Sequence, residues 1–115
     1  EKLDVRDYAA VDALAAKYAD RPIDVLLHNA GISGVSQTQM LGKMQFDVFE
    51  DVLKTNVVAP LKISEAFLKH VEASQQKKIV TVSSSEGSIS GATQPRLYSV
   101  ANQIFQPLLL FVCRK

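Results

Sequence analysis

Thiols are nearly absent from this chain of 115 residues: Cys113 is its single cysteine. That excludes an internal disulfide and suits a reducing, cytoplasmic setting. Long apolar runs are absent as well. The longest, from Leu108 to Cys113, falls far short of the ~20 residues that cross a bilayer, so no membrane span is expected. No basic region followed by an apolar run opens the chain, so no secretory signal is read. Charge of one sign is also lacking. Thirteen Lys and Arg against twelve Asp and Glu leave a formal net charge of +1. No basic stripe is interleaved with aromatics, which argues against a nucleic-acid partner. No metal site is assigned.

What remains is ordinary globular composition, with 47% hydrophobic and 22% charged residues, enough for a single domain with one core spanning 1–115. The chain opens at Glu1 without an initiator Met, and its first residues read as the end of a strand, so an earlier part is expected to precede it. From Asp7 to Tyr18, apolar Val11, Leu14, Ala15 and Tyr18 fall on one helical face, with Asp7 placed to cap the first turn. Arg21 and Pro22 end that pattern. Ile23-Asp24-Val25-Leu26-Leu27 then reads as a buried parallel strand. Asn29-Ala30-Gly31 and a polar loop with Gly34 and Ser36 run on to about Gln45. The longest periodic stretch, Asp47 to Ser74, keeps Phe49, Val52, Leu53, Val57, Leu61, Ala66, Phe67 and Val71 near helical spacing. Ile79-Val80-Thr81-Val82 is a β-branched run, read as a second buried strand, that ends in Ser83-Ser84-Ser85-Glu86-Gly87. A loop with Gly91 and Pro95 follows, and a last helix is expected from Leu97.

Strands alternating with helices predict an α/β fold, a parallel sheet with helices on its faces. In such sheets ligands sit beyond the carboxyl ends of the strands. Asn29-Ala30-Gly31 and Ser83 to Gly87 both lie there. The turn has two readings: small residues that let the chain bend, or a backbone left bare for a ligand. Ser84 is either a strand-end serine or a hydrogen-bond donor to a substrate. The Gly-x-Ser-x-Gly of a serine hydrolase is absent, and neither His28 nor His70 is placed beside Ser84 by the sequence. Asn56 stands four residues before Pro60. Proline has no N–H, so the Asn56 carbonyl should be freed from the helical ladder for a water. Tyr98 follows Ser84 by fourteen residues; its phenol needs a nearby cation to exchange protons near neutrality.

Together these residues resemble the short-chain dehydrogenases/reductases. The resemblance runs from Leu3-Asp4-Val5 through Asn29-Ala30-Gly31, Thr55-Asn56 and Ile79 to Ser84, and on to Tyr98, about residues 3 to 101. The stretch from Asp47 to Ser74 looks closest to the small carbonyl-reductase-like branch. The resemblance implies a Rossmann-like sheet and NAD or NADP as cofactor. It also implies hydride transfer between nicotinamide and a small carbonyl or alcohol substrate. Asp4 resembles the aspartate facing the adenine end, and Asn29, Ala30 and Gly31 the turn lining the cofactor cleft, with His28 where many members carry a further Asn. Asn56 matches the asparagine whose main-chain carbonyl holds a relay water. Ser84 matches the substrate-binding serine, and Tyr98 the proton-donating tyrosine.

The sequence departs from the family at two places. The lysine expected four residues after the tyrosine is Asn102, which cannot stabilise a phenolate by Coulomb attraction. From there the resemblance fades, through Pro107 and the all-apolar run to Cys113, as a shifted frame, a retained intron or gene decay near residue 101 would produce. The five glycines, at 31, 34, 42, 87 and 91, supply no Gly-rich turn between a first strand and helix. The fold is therefore expected to be incomplete, without that βα unit or the C-terminal strands, and the chain inactive alone. The other reading is a non-catalytic remnant that pairs with another copy or a full-length relative. An unrelated α/β binding domain is the third.

Overall fold

The computed structural model describes residues 1–34, 40–88, 90 and 101. The helix expected from Leu97 and the tail from Asn102 lie outside them. Among the described residues the elements are α1 (Tyr8–Lys17), β1 (Val25–His28), α2 (Phe46–Leu53), a π-helical segment (Lys54–Val58), α3 (Ala59–Ala66), α4 (Leu68–Glu72), β2 (Lys78–Thr81) and a 3-10 turn (Ser85–Gly87). None of these helices is long and apolar enough to cross a membrane. The sheet is parallel, as the alternation of elements predicts, with Leu26 opposite Ile79 and His28 opposite Thr81.

The chain divides into two compact units, Glu1–Asn29 with Ala59–Val82, and Ala30–Val58 with Ser83–Lys115. In the first, Asp7 caps α1 as the sequence predicts: its Oδ1 accepts the Ala10 N–H at 3.0 Å. Val11 and Ala15 are buried and α1 packs against α3. His70 on α4 reaches the Ala15 carbonyl through Nε2 at 3.0 Å and lies against the Phe67 ring. The first strand starts later than the apolar run suggests. Ile23 donates its N–H to the His70 carbonyl at 3.0 Å. Asp24 receives the Gln76 N–H on its carboxylate at 3.2 Å, so the run before Val25 is a docking turn. Leu3-Asp4-Val5, which reads as a strand end, forms no strand. Asp7 donates its N–H to the Asp4 carbonyl at 3.0 Å, closing a turn before α1.

The long periodic stretch is not one helix. A π turn at Lys54–Val58 adds a residue to the coil, and the chain breaks again at Phe67. The extra residue buries both Thr55 and Val57 and sends the apolar stripe of α3 onto Ala59, Pro60 and Ser64. Leu61, inside by the sequence spacing, is exposed. In the second unit Val52, Val57 and Ala101 form a buried cluster, with Leu53 packed against it.

The sequence reads both strands as buried, but one face of the β1–β2 pair is exposed. Val25, Leu27, Val80 and Val82 all point that way, Leu27 at 56% and Val82 at 55% exposure, with Leu27 opposite Val80. Parallel sheets are ordinarily covered on both faces, and an apolar sheet face with an open edge promotes association. The 115-residue chain is therefore expected to self-associate, its weight-average mass in sedimentation rising above 12.6 kDa with concentration. Leu27→Lys with Val82→Lys should restore the monomer. A cooperative melt of the unaltered monomer with a high midpoint would contradict this.

Candidate active site

Parallel pairing sends the carboxyl ends of β1 and β2 to the same end of the sheet. The Val82 N–H extends the ladder by one bond, donating to the His28 carbonyl at 2.9 Å. The chain leaves β1 at Asn29, which is exposed. Just before it, His28 is buried, and its Nε2 lies 2.8 Å from Ser64 Oγ on α3. Burial holds the His28 imidazole below its ordinary value of 6.5. Before α1, Asp4 is exposed and pairs with Arg6 at 3.4 Å. The Arg6 backbone N–H, then its side chain, hold that carboxyl below its usual range.

In the second unit the Asn56 side chain grips the backbone just after Gly31. Its Oδ1 accepts the Ile32 N–H at 2.9 Å, and its Nδ2 donates to the Ile32 carbonyl at 2.8 Å. One amide thus satisfies both backbone groups of one residue, as a neighbouring strand would, and this pairing fixes which way the amide points. Sequence reasoning assigned Asn56 only its main-chain carbonyl and missed this role. The available signal was an Asn inside a helical run, where its side chain competes with the helix for backbone groups.

Gly31 itself is exposed and is not among the left-handed glycines, which are Gly34 and Gly42. A Cβ built on it would meet Asn56 Oδ1 at 3.5 Å, an ordinary contact. Neither backbone conformation nor neighbouring atoms require glycine there. The exposed backbone here is held at Ile32 by the Asn56 amide.

Asn56 owes its place to the π turn. Pro60, lacking an N–H, can serve neither the Asn56 carbonyl four residues back nor the Thr55 carbonyl five back. The helix takes its wider turn at this point, and π turns of this kind often mark functional sites. Thr55 Oγ1 beside it is buried without a hydrogen-bond partner among the described residues. Ser84 is half-buried at the head of the 3-10 turn, its carbonyl accepting the Gly87 N–H at 2.9 Å. The site residues thus fall into separate sets. Asn56 and the Gly31–Ile32 backbone are brought together. Asp4 belongs to the other unit and is bound to Arg6. Tyr98, like Asn102, lies outside the described residues.

Residues 2–101 match the family model described as short chain dehydrogenase. The chain is 32% identical over 105 residues to (+)-neomenthol dehydrogenase of Arabidopsis thaliana, an alignment covering 76% of this chain and 36% of that protein. Its fold is similar to a protein of Burkholderia multivorans assigned to the short-chain dehydrogenases/reductases and solved with NADP bound. There the TM-score is 0.78 at 27% identity, covering 99% of this chain and 51% of the other. It is also similar to the carbonyl reductase Sniffer of Drosophila melanogaster, with a TM-score of 0.80 at 26% identity, covering 94% of this chain and 50% of the other. The chain therefore spans between about a third and about half of the length of these proteins.

Removing the Asn56 amide should free the strip it holds. Asn56→Ala is expected to cost about 1–2 kcal/mol in denaturant unfolding and to speed hydrogen exchange at the Ile32 amide by roughly tenfold or more. Asn56→Asp keeps the acceptor but turns a carboxylate oxygen toward the Ile32 carbonyl. It should destabilise at neutral pH at least as much as Ala, and recover as the carboxyl is protonated. An Ile32 amide exchanging equally in all three proteins would refute the tether.

Proposed function

The chain belongs to the short-chain dehydrogenase family, and on that premise we propose that its 115 residues are part of the dinucleotide-binding domain of a carbonyl/alcohol oxidoreductase. The observation that carries this reading is the bare strip at Gly31: a glycine that the protein's own packing does not need, on a backbone locked by Asn56. Such a strip fits the close approach of a flat ring system. The Burkholderia multivorans relative was solved with NADP, and NAD or NADP is the cofactor class proposed. Ala30 and Gly31, both exposed, would lie against it together with Asn29, and the Asp4 carboxylate would face its adenine end. The carbonyl-reductase-like branch is the finer placement proposed, and a reducing cytoplasm the setting.

When bound, the nicotinamide supplies or receives the hydride at the carbonyl carbon. The chain's own residues handle the oxygen. The Ser84 hydroxyl donates a hydrogen bond to the substrate carbonyl and to the oxyanion that develops there. The Tyr98 phenol gives its proton to that oxygen in reduction and receives it in oxidation. The Asn56 carbonyl, which Pro60 cannot serve, holds a water that replenishes the tyrosine. Asn102 is the weak point: an amide offers no positive charge, so Tyr98 stays a poor acid near neutrality. The chain by itself is therefore read as inactive.

That same residue, with the bare sheet face, favours a second reading of the isolated chain, a non-catalytic partner that pairs with another copy or a full-length relative. Co-expression with an active relative should then give mixed oligomers in light scattering; recovery of separate species would rule the pairing out.

The cofactor reading is tested by NMR on the 115-residue chain. Millimolar NADPH or NADH is expected to shift the Ala30, Gly31 and Ile32 amides and the Asn56 side-chain amide. Gly31→Ala should change stability by no more than about 0.5 kcal/mol while weakening those shifts, and Gly31→Val should remove them. A strip that answers to neither nucleotide, or a Gly31→Ala protein that binds as well as the original, would sink it.

A further inference from the structure

We infer that His70 is a positioning residue for the entry into β1: with one ring nitrogen and one carbonyl it ties the end of α1 and the end of α4 to the residues that lead into the strand. The last carbonyls of a helix have no partner within it. At the end of α1 the chain tightens, Tyr18 donating its N–H to the Ala15 carbonyl and Ala19 to the Ala16 carbonyl, both at 3.2 Å. His70 brings a second donor to the Ala15 oxygen from 55 residues away, at 3.0 Å. Its own carbonyl lies in the last turn of α4 and takes the Ile23 N–H at 3.0 Å. One residue, only 7% exposed, therefore holds both ends of the connection between α1 and β1. Just beyond Ile23, the Asp24 carbonyl accepts the Lys78 N–H at 3.1 Å and its carboxylate the Gln76 N–H at 3.2 Å. The four-residue strand is thus entered with α4 holding one side and the approach to β2 the other.

The ring can do this in one way. A carbonyl oxygen carries no hydrogen, so the contact with Ala15 requires the proton on Nε2. Nδ1 is buried and has no hydrogen-bond partner among the described residues. The polar role of the ring is confined to Nε2, and the rest of it packs beside Phe67, the two ring centres 5.0 Å apart. A substitution rule follows from that division. Glutamine carries an amide N–H at about the reach of Nε2, whereas asparagine carries one only at about the reach of Nδ1. Leucine fills comparable space and offers no donor. A tie through Nε2 is kept by glutamine and lost in the other two; a residue that serves by packing alone is replaced best by leucine.

The test uses the full 115-residue chain with no nucleotide present, so its outcome is independent of the cofactor reading of Asn29, Ala30 and Gly31. Two-bond proton–nitrogen correlation at pH 8 reads which ring nitrogen of His70 is protonated. Hydrogen exchange reads the Ile23 amide relative to the Val11 amide, which is bonded to the Asp7 carbonyl at the other end of α1, so that a general loss of stability cancels. The Nε2–H tautomer is expected. Relative exchange at Ile23 should rise roughly tenfold or more in His70→Leu and His70→Asn, and stay within about threefold of the unaltered chain in His70→Gln. Should one of the first two fail to fold, the other and the ring tautomer decide. An Nδ1–H tautomer, or an Ile23 amide as well protected with leucine as with glutamine, would overturn the inference.

Discussion

The parallel pairing of β1 with β2 is the constraint from which most of this structure follows. Two parallel strands cannot be joined by a tight turn, so the chain between them must travel back along the sheet before it re-enters. Here the 49 residues from Asn29 to Lys77 do so, with α3 and α4 on the return. The same pairing puts both strand ends at one edge, with His28 opposite Thr81. Every residue proposed for cofactor or substrate, Asp4 apart, follows one of those two ends or the helical return between them.

Within that return, proline and asparagine act together. Pro60 withholds an N–H, the coil widens over Lys54–Val58, and Asn56 leaves the helical repeat to bind the Ile32 backbone. A regular helix would have carried Asn56 about 100° per residue around its axis with no reason to stop at this point. The widened turn converts a sequence irregularity into a fixed side chain. It also exposes Leu61 and buries Thr55, a register change that no regular period produces.

The bare face of the sheet and the substitution at Asn102 bear on different levels of the same molecule. Exposed Val25, Leu27, Val80 and Val82 concern folding and association. Asn102 concerns the proposed chemistry: an amide at the family's lysine position brings no positive charge to stabilise a phenolate. A longer chain or a partner could cover the apolar face, whereas the proposed chemistry would also call for a cation beside Tyr98.

How much was legible beforehand depends on the range of the interaction. Local chemistry was plain: the Asp7 cap, the buried face of α1, the β-branched run of β2 and an irregular helix before Pro60 each depend on residues within a turn of one another. The family, too, was legible, because its short motifs keep their order along the chain. Contacts between distant residues were not. That Asn56 would bind Ile32, 24 residues away, or His28 meet Ser64, 36 residues away, has no periodic signature. Nor could the sequence show that Gly31 has no left-handed backbone and leaves room for a Cβ. The sequence by itself determined where helical and strand segments alternate, because helix caps, strand propensity and proline's missing N–H are local energies. The tertiary structure decided which side chains hold which backbones, because those bonds exist only once the sheet has brought distant segments within about 3 Å of each other.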